Sequence, residues 1–360
     1  MMKIPHVEIL DKYSRLAVDI VEPSECWFEL QYYGCGEFEV YAQANQRNLA
    51  SLKIGNYVKI PQHSHLWLIE KIEITNDEDR GLMVSATGRQ AKAILAKRII
   101  NTQTQLASDL QTAVLALVNK HIGANADSTR RISWLLTEQG TVSQSIDETQ
   151  VSHENLLSFT ESLLQTYGCG AEMKLDGTSF KYRVFKGEDQ TETVIFSQMF
   201  DNLLDSKYSI DESNYRNFVL VGGQGEGAER ITDSIVSEIV SDPIDRCEAF
   251  VDAKDISSKY TDASGQEKEL DLTSSAGLAT YKQWLRERGK QALAELTRAE
   301  AFDGTIDTTN SLYEFDKDFY LGDRVTVQDS RMGVFITPRV LKYTVNQTAD
   351  EHSEAVEYGE

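Results

Sequence analysis

Basic side chains are scarce in this sequence: 36 Lys and Arg stand against 57 Asp and Glu, a net charge of −21 over 360 residues. Such a chain is a poor holder of phosphate backbones, which need a basic footprint. Proline is rarer still at five residues, and with 41% apolar and 26% charged residues the chain is expected to fold over most of its length. The four cysteines, Cys26, Cys35, Cys169 and Cys247, form no Cys-x-x-Cys and have no histidine at zinc spacing. They read as small buried side chains in a reducing compartment. No apolar run approaches the ~20 residues that span a bilayer. Met1-Met2-Lys3-Ile4-Pro5-His6 lacks the apolar stretch of a signal peptide, so a protein made in the cytoplasm, with no membrane segment, is expected. A Gly-x-Ser-x-Gly elbow and an HExxH pair are both missing.

What is present is a short pattern that occurs twice. Leu52-Lys53-Ile54-Gly55-Asn56-Tyr57-Val58-Lys59-Ile60 is matched by Tyr320-Leu321-Gly322-Asp323-Arg324-Val325-Thr326-Val327. Each copy has an apolar residue, a Gly, a turn-forming Asn or Asp, and then alternating β-branched residues. A second β-branched run follows each: Leu66 to Ile72 after the first, Val334-Phe335-Ile336 and Val340 to Tyr343 after the second. Two related β-barrels in one chain are the expectation, with 52–72 and 321–343 as equivalent hairpins.

At 360 residues several domains are expected. Residues 1–97 read as strands: Phe38, Val40 and Ala42 alternate with Glu37, Glu39 and Tyr41, punctuated by Gly34, Gly36 and Gly55. They form the expected first barrel, with 192–204 as the segment expected to complete it. Residues 98–191 read as a small α+β domain. One helix carries Leu106, Leu110, Val114, Leu117 and Val118, starting near Ser108 or Asp109 and stopping at Gly123. Another carries Leu156, Phe159, Leu163 and Leu164 and ends at Gly168, and Asp176-Gly177 marks a hairpin. Residues 205–345 form the expected second barrel, with a helix inserted over 281–302, and 346–360 an acidic, frayed tail. The fold class is mainly β with α+β.

Each candidate site has a structural reading beside the chemical one. Gly222-Gly223-Gln224-Gly225-Glu226-Gly227 lacks both the GxGxxG spacing and the Lys-Ser/Thr of a P-loop, and its acids would repel phosphate; a mobile strand-to-strand loop is expected. His63-Ser64-His65 places two imidazoles on one side of a strand, but no third ligand stands at a supporting spacing. A polar hairpin tip, in solvent or at a subunit contact, accounts for it. Arg246, Glu248, Asp252 and Asp255 read as an ion-pair network at a domain boundary. Lys282, Arg286, Arg288, Lys290 and Arg298 line one helix face, expected to meet the acidic 201–260 region of another subunit. No catalytic, cofactor-binding or metal-binding residue is therefore assigned, no cofactor is expected, and the protein reads as non-enzymatic.

From Met199 to Ile231 the chain carries Tyr208-Ser209-Ile210-Asp211-Glu212-Ser213-Asn214-Tyr215-Arg216-Asn217, leading into Val219-Leu220-Val221-Gly222-Gly223. It continues through Arg246 to Asp252, the helix, and Leu321-Gly322-Asp323-Arg324-Val325. In that order these motifs resemble the siphophage tail-tip hub (tail-associated or baseplate hub) proteins, most strongly over 199–345. The resemblance implies two similar barrels per chain and a homotrimer that adapts threefold to sixfold symmetry at the distal end of the virion tail. It also implies partners: a distal tail or tail-tube ring protein, a tape-measure protein, and a tip fibre or lytic subunit. DNA would be met only in transit, through a lumen that negative charge keeps from trapping phosphates. Lytic or receptor-binding functions would reside in another subunit. Two rival readings stay open, a tail-associated peptidoglycan hydrolase with its site in 98–191 and a carbohydrate-binding adhesin.

Overall fold

Period-two burial sets the main sheet: along Glu25–Gln31 and Glu37–Gln43 every second residue is buried, as a sheet with one face on a core requires. In the computed structural model, residues 6–61, 63–147, 149–262, 266–306, 312–348 and 351–359 are described. Residues 1–5 and 62 of the expected first barrel, 148 of the expected α+β domain, 263–265 and 307–311 of the expected second barrel, and 349, 350 and 360 of the expected tail lie outside them. Eleven strands make one sheet: β1 (Val7–Leu10), β2 (Ala17–Val21), β3 (Glu25–Gln31), β4 (Glu37–Gln43), β5 (Tyr57–Lys59), β6 (Leu66–Asp77), β7 (Gly81–Gln90), β8 (Leu203–Asp211), β9 (Ala299–Ile306), β10 (Arg339–Gln347) and β11 (His352–Gly359). Their spatial order is β8-β9-β11-β10-β3-β4-β7-β6-β5-β1-β2.

That order contains a repeat. Strands β3, β4, β6 and β7 are consecutive long strands of the first unit and lie as first, second, fourth, third; β8, β9, β10 and β11 lie in the same permutation. All pairings within both units are antiparallel. The match extends to single residues. Gly55 N donates to Ile69 O (2.8 Å) and Ile69 N to Asn56 O (2.9 Å); Gly322 N donates to Val340 O (2.8 Å) and Val340 N to Asp323 O (2.8 Å). Gly55 and Gly322 both take positive φ, 92° and 84°, which a side chain would resist. One residue past each clamped position the ladder shifts, between Ile69 and Lys71 against β7 and between Val340 and Lys342 against β11. A β-bulge at the same place in both copies bends the strands alike. The duplication read from Gly-Asn and Gly-Asp is thus present in the backbone.

The two units are not separate closed barrels. Among the described residues β10 pairs with β3, from Lys342↔Gln31 to Gln347↔Cys26, so one open sheet runs through both, with β8 and β2 at its ends. One apolar core serves both units: Phe28, Phe38 and Trp67 from the first share it with Phe302, Val345 and Tyr358 from the second. Each such side chain contributes about 1.5–3 kcal/mol of burial. The 346–360 segment is likewise not a frayed tail. Its residues 352–359 are β11, zipped between β9 and β10 with Val356 and Tyr358 buried, so its period-two apolar positions outweigh its acids.

Two insertions decorate this frame. Residues 98–191 hold two helices and a three-stranded sheet: helix Leu110–His121 is capped by Asp109, whose side chain accepts from Thr112 N, and helix Leu156–Thr166 is followed by Gly168 at φ 64°. Strands Gly170–Asp176 and Ser179–Phe185 make the Asp176-Gly177 hairpin, flanked by a parallel strand Leu135–Glu138. The second insertion separates β8 from β9. It holds a sheet ordered Thr232–Val236, Phe218–Gly222, Glu248–Asp252, with helix Ser275–Glu295 packed on it. That helix starts and ends earlier than the expected 281–302. Ser274 caps it, and Ala299–Phe302 belongs to β9, where pairing with β8 and β11 satisfies the backbone instead.

The two turn glycines differ in surroundings. A Cβ on Gly322 would lie 2.3 Å from the buried Tyr32 ring, whereas one on Gly55 meets the movable Lys12 side chain at 2.9 Å. Gly55→Ala is expected to cost about 1–2 kcal/mol, the strain of positive φ alone, and Gly322→Ala about 1–3 kcal/mol more through overpacking. Urea denaturation of both variants checks this; equal costs would contradict the packing account.

Candidate functional site

The surfaces that the repeat leaves distinctive are the seam between its units and the free edges of its outer strands. At the seam, Tyr32 stands at the end of β3 with its ring fully buried. Its backbone N–H donates to Leu341 O (2.8 Å) and its hydroxyl to Gly168 O (3.0 Å), tying both units to the α+β domain. The turn side chains hold the neighbouring chain segments: Asn56 Oδ1 accepts from Lys12 N (3.1 Å), and Asp323 accepts from Glu188 N (2.8 Å) and Tyr320 N (2.9 Å). The Asn and Asp of the repeated motif are therefore buried anchors as well as turn formers.

The same seam collects three of the six histidines. His63 Nδ1 lies 3.1 Å and His65 Nε2 3.7 Å from Asp316 Oδ2. Next to them His352 Nε2 is 3.2 Å from Glu354 Oε1, and the Tyr343 hydroxyl donates to Glu354 Oε2 at 2.6 Å. Burial would raise the Asp316 carboxyl, but the hydrogen bonds and charges of His63 and His65 outweigh it and hold its pKa well below the ordinary range. Of the two side chains expected in solvent or at a subunit contact, His65 is instead buried and His63 half-buried, and both fasten the first unit to Asp316 in the loop before Gly322. A partner 253 residues away carries no local sequence signal. Among the described residues no group of three or more His, Cys, Asp or Glu is arranged to hold a metal ion.

The other candidates resolve into structure. The 222–227 segment is a strand-to-strand loop whose first residues are hydrogen-bonded to the helix and to the next strand, while 225–227 are exposed. Gln224 N donates to the Tyr281 hydroxyl (2.8 Å), Gly223 N to Ile231 O (2.8 Å), and Arg230 Nη2 to Gly222 O (2.7 Å). The 246–255 charges form no single cluster. Arg246 pairs with Glu248 and lies over the Phe218 ring, Asp252 pairs with Arg230, and Asp255 pairs with Arg288. The basic residues of the helix and its exit meet acids of their own chain: Arg286 with Asp233, Arg288 with Glu154 and Asp255, Lys290 with Asp147 and Glu287, Arg298 with Glu212. Asp147 and Glu154 belong to the α+β domain, so this face is the strut between the two insertions. All four cysteines are free, and burial pushes the Cys26 thiol up to about 12.

Sequence reasoning missed the free edges. Beyond Glu70, β6 is paired only with β7, and β8 only with β9, among the described residues. Exposed on them are Ile74, Leu204 and Ile210. Alternating exposure along an edge strand looks, in sequence, like any half-buried strand.

Because Asp316 has a folded-state pKa below its unfolded value, its pairing stabilises the fold above the ordinary carboxylate value of about 4. That contribution is lost as pH falls further. Asp316→Asn is expected to lower stability by about 1–3 kcal/mol at pH 6 and to flatten the acid limb of a stability–pH profile. Thermal melts across pH 2–7 check this; an unchanged acid limb would contradict the assignment.

A family model described as Siphovirus ReqiPepy6 Gp37-like protein matches residues 6–359. No curated protein matches the sequence. Among solved structures, the 43 kDa tail protein of prophage MuSo2 from Shewanella oneidensis is similar at TM-score 0.57 and 11% identity, covering 98% of each chain. A tail protein from Neisseria meningitidis MC58 is similar at TM-score 0.58 and 10% identity, over 99% of this chain and 96% of that one. The prophage tail protein gp18 from Listeria monocytogenes EGD-e gives 0.50 and 12%, over 98% and 94%. At these identities the structures establish the shared fold, and it is a fold of phage tail proteins. The chain belongs to the Siphovirus ReqiPepy6 Gp37-like family of siphovirus tail proteins.

Proposed function

We propose that this chain is the hub at the distal end of a phage tail, a homotrimer whose six units adapt threefold to sixfold symmetry and let DNA pass. The observation that carries this reading is the repeat: two units of identical strand order, clamp and bulge stand side by side in one sheet. Three such chains supply six nearly equivalent positions, which a threefold ring needs in order to meet a sixfold tube. The distal tail or tail-tube ring protein, the tape-measure protein, and a tip fibre or lytic subunit are its proposed neighbours. A net charge of −21 suits a wall past which a polyanion slides.

A non-enzymatic role is part of the proposal. Two buried carboxylates, of the kind a hydrolase would use, are committed to structure here. Asp329 accepts from the Ser206 hydroxyl (2.7 Å) and Arg331 N (2.9 Å). Glu172, in the 98–191 domain, is held by Lys174 (2.9 Å) and Arg183. Both are therefore spent on holding strands and loops in place.

Light scattering on the purified full chain tests the assembly. The expected mass is three times the 40.5 kDa of one chain. A monomer at every concentration, together with no threefold component in isolated tails, would contradict the reading.

A further inference from the structure

One sheet of the second insertion is covered on one side only. Helix Ser275–Glu295 packs on the face that carries Val219 and Val221, so closely that a Cβ on Gly289 would lie 2.8 Å from Ile235. Arg286 of that helix pairs with Asp233 of the sheet (2.9 Å), so apolar packing and a basic-to-acidic contact act together there. The intervening residues of each strand point the other way. Leu220, Val236 and Phe250 among them are 38%, 49% and 54% exposed, and Phe218 is half-buried. The register sets Phe250 beside Leu220 and Val236 beside Phe218, so the four side chains form one patch. Phe218-Val219-Leu220-Val221 is apolar throughout, as in a strand buried on both faces. Its pairing with Glu248–Asp252 is parallel, a geometry found mostly in sheets covered on both sides.

Charge indicates what kind of cover fits. At one end of these strands the loop carries Glu226 and Glu229; at the other end it carries Glu238, Asp242 and Asp245. All five are exposed, and none forms an ion pair among the described residues. Ile239 and Ile244 stand out of the same second loop, 93% and 83% exposed. The two arginines of the patch are already paired, Arg230 with Asp252 and Arg246 with Glu248, and lie over the Phe250 and Phe218 rings at 5.1 Å and 4.0 Å. We infer that this face receives an amphipathic helix of another tail protein, an apolar stripe flanked by Lys and Arg. Three strands about 4.8 Å apart and about five residues long offer a strip about 10 Å wide and about 17 Å long, the footprint of about 11 residues of helix. The incoming helix lies opposite Ser275–Glu295 and repeats its chemistry, giving the sheet a helix on each face. A second copy of this chain fits poorly. Each copy carries a net charge of −21, and Arg286, Arg288 and Lys290 of its own helix are paired within the chain. The inference requires no particular oligomeric state.

Hydroxyl-radical footprinting of the unsubstituted full chain, purified and in isolated tails, reads the cover directly. Leu220, Phe250 and Ile244 should oxidise as exposed side chains in the purified protein, as monomer or oligomer alike, and several-fold more slowly in tails. Slow oxidation already in the purified protein makes a second copy the cover, and equal rates in tails leave the face bare; either result overturns the inference. A benzoylphenylalanine placed at Ser234, exposed on the same face beside Leu220, then identifies the cover by photo-cross-linking in tails. The expected product joins a different tail protein at a segment whose apolar residues recur every three or four positions between Lys and Arg. A cross-link to this same chain, or to an acidic segment or one without that period, overturns the assignment. Light scattering on the purified chain decides the trimer separately, so a failed ring reading and an uncovered face remain distinguishable.

Discussion

The antiparallel ladder between β10 and β3 is the interaction on which the rest of the molecule depends. Its backbone hydrogen bonds join strands more than 300 residues apart in sequence, and without it each unit would keep an open edge inside the chain. The ladder holds because the clamp at Gly322-Asp323 fixes where β10 begins and the bulge at Leu341 fixes how it bends. Tyr32 fills the space where the seam meets the α+β domain, against Gly170 and Gly322, neither of which could carry a side chain there. Backbone geometry, close approach and side-chain burial agree at this one place, which is what a uniquely specified fold requires.

The two units reach the same architecture with different side chains. Asn56 anchors one turn with an amide and Asp323 the other with a carboxylate, and each captures a backbone N–H of a different neighbouring segment. Phe38 and Phe302 hold the equivalent core position in the second strand of each unit. What differs is what has been inserted. The first unit turns from β3 to β4 through a short loop, while the second carries residues 212–298 between β8 and β9. Buried Glu287, bonded by the Tyr167 hydroxyl at 2.8 Å, and Arg288, bonded to both Glu154 and Asp255, lock that insertion to the 98–191 domain.

Much of this was legible where the signal is local. The Gly-Asn and Gly-Asp turns, the Asp109 cap, the Gly168 stop and the Asp176-Gly177 hairpin each depend on a few adjacent residues, and each stands where the sequence places it. Signals that depend on distant chain segments did not show. The final strand was hidden because Glu354 and Glu357 flank its apolar positions, and only pairing with β9 and β10 reveals which face is buried. The 275–295 helix was read too far because Ala299 and Phe302 suit a helix face as well as a strand. The His63–Asp316 pairing and the unlike edges of β6 and β8 are properties of topology, so no window of sequence contains them.

The central claim is that one chain supplies two equivalent ring positions. An electron cryomicroscopy map of the isolated tail's distal end, refined with no symmetry beyond threefold, tests this most directly. The account expects six closely similar sheet units around the axis, alternating between first and second units of successive chains, with insertions 98–191 and 212–298 repeating three times. A map in which this protein occurs once or six times per tail, or in which its two units stand at unlike radii, would contradict it.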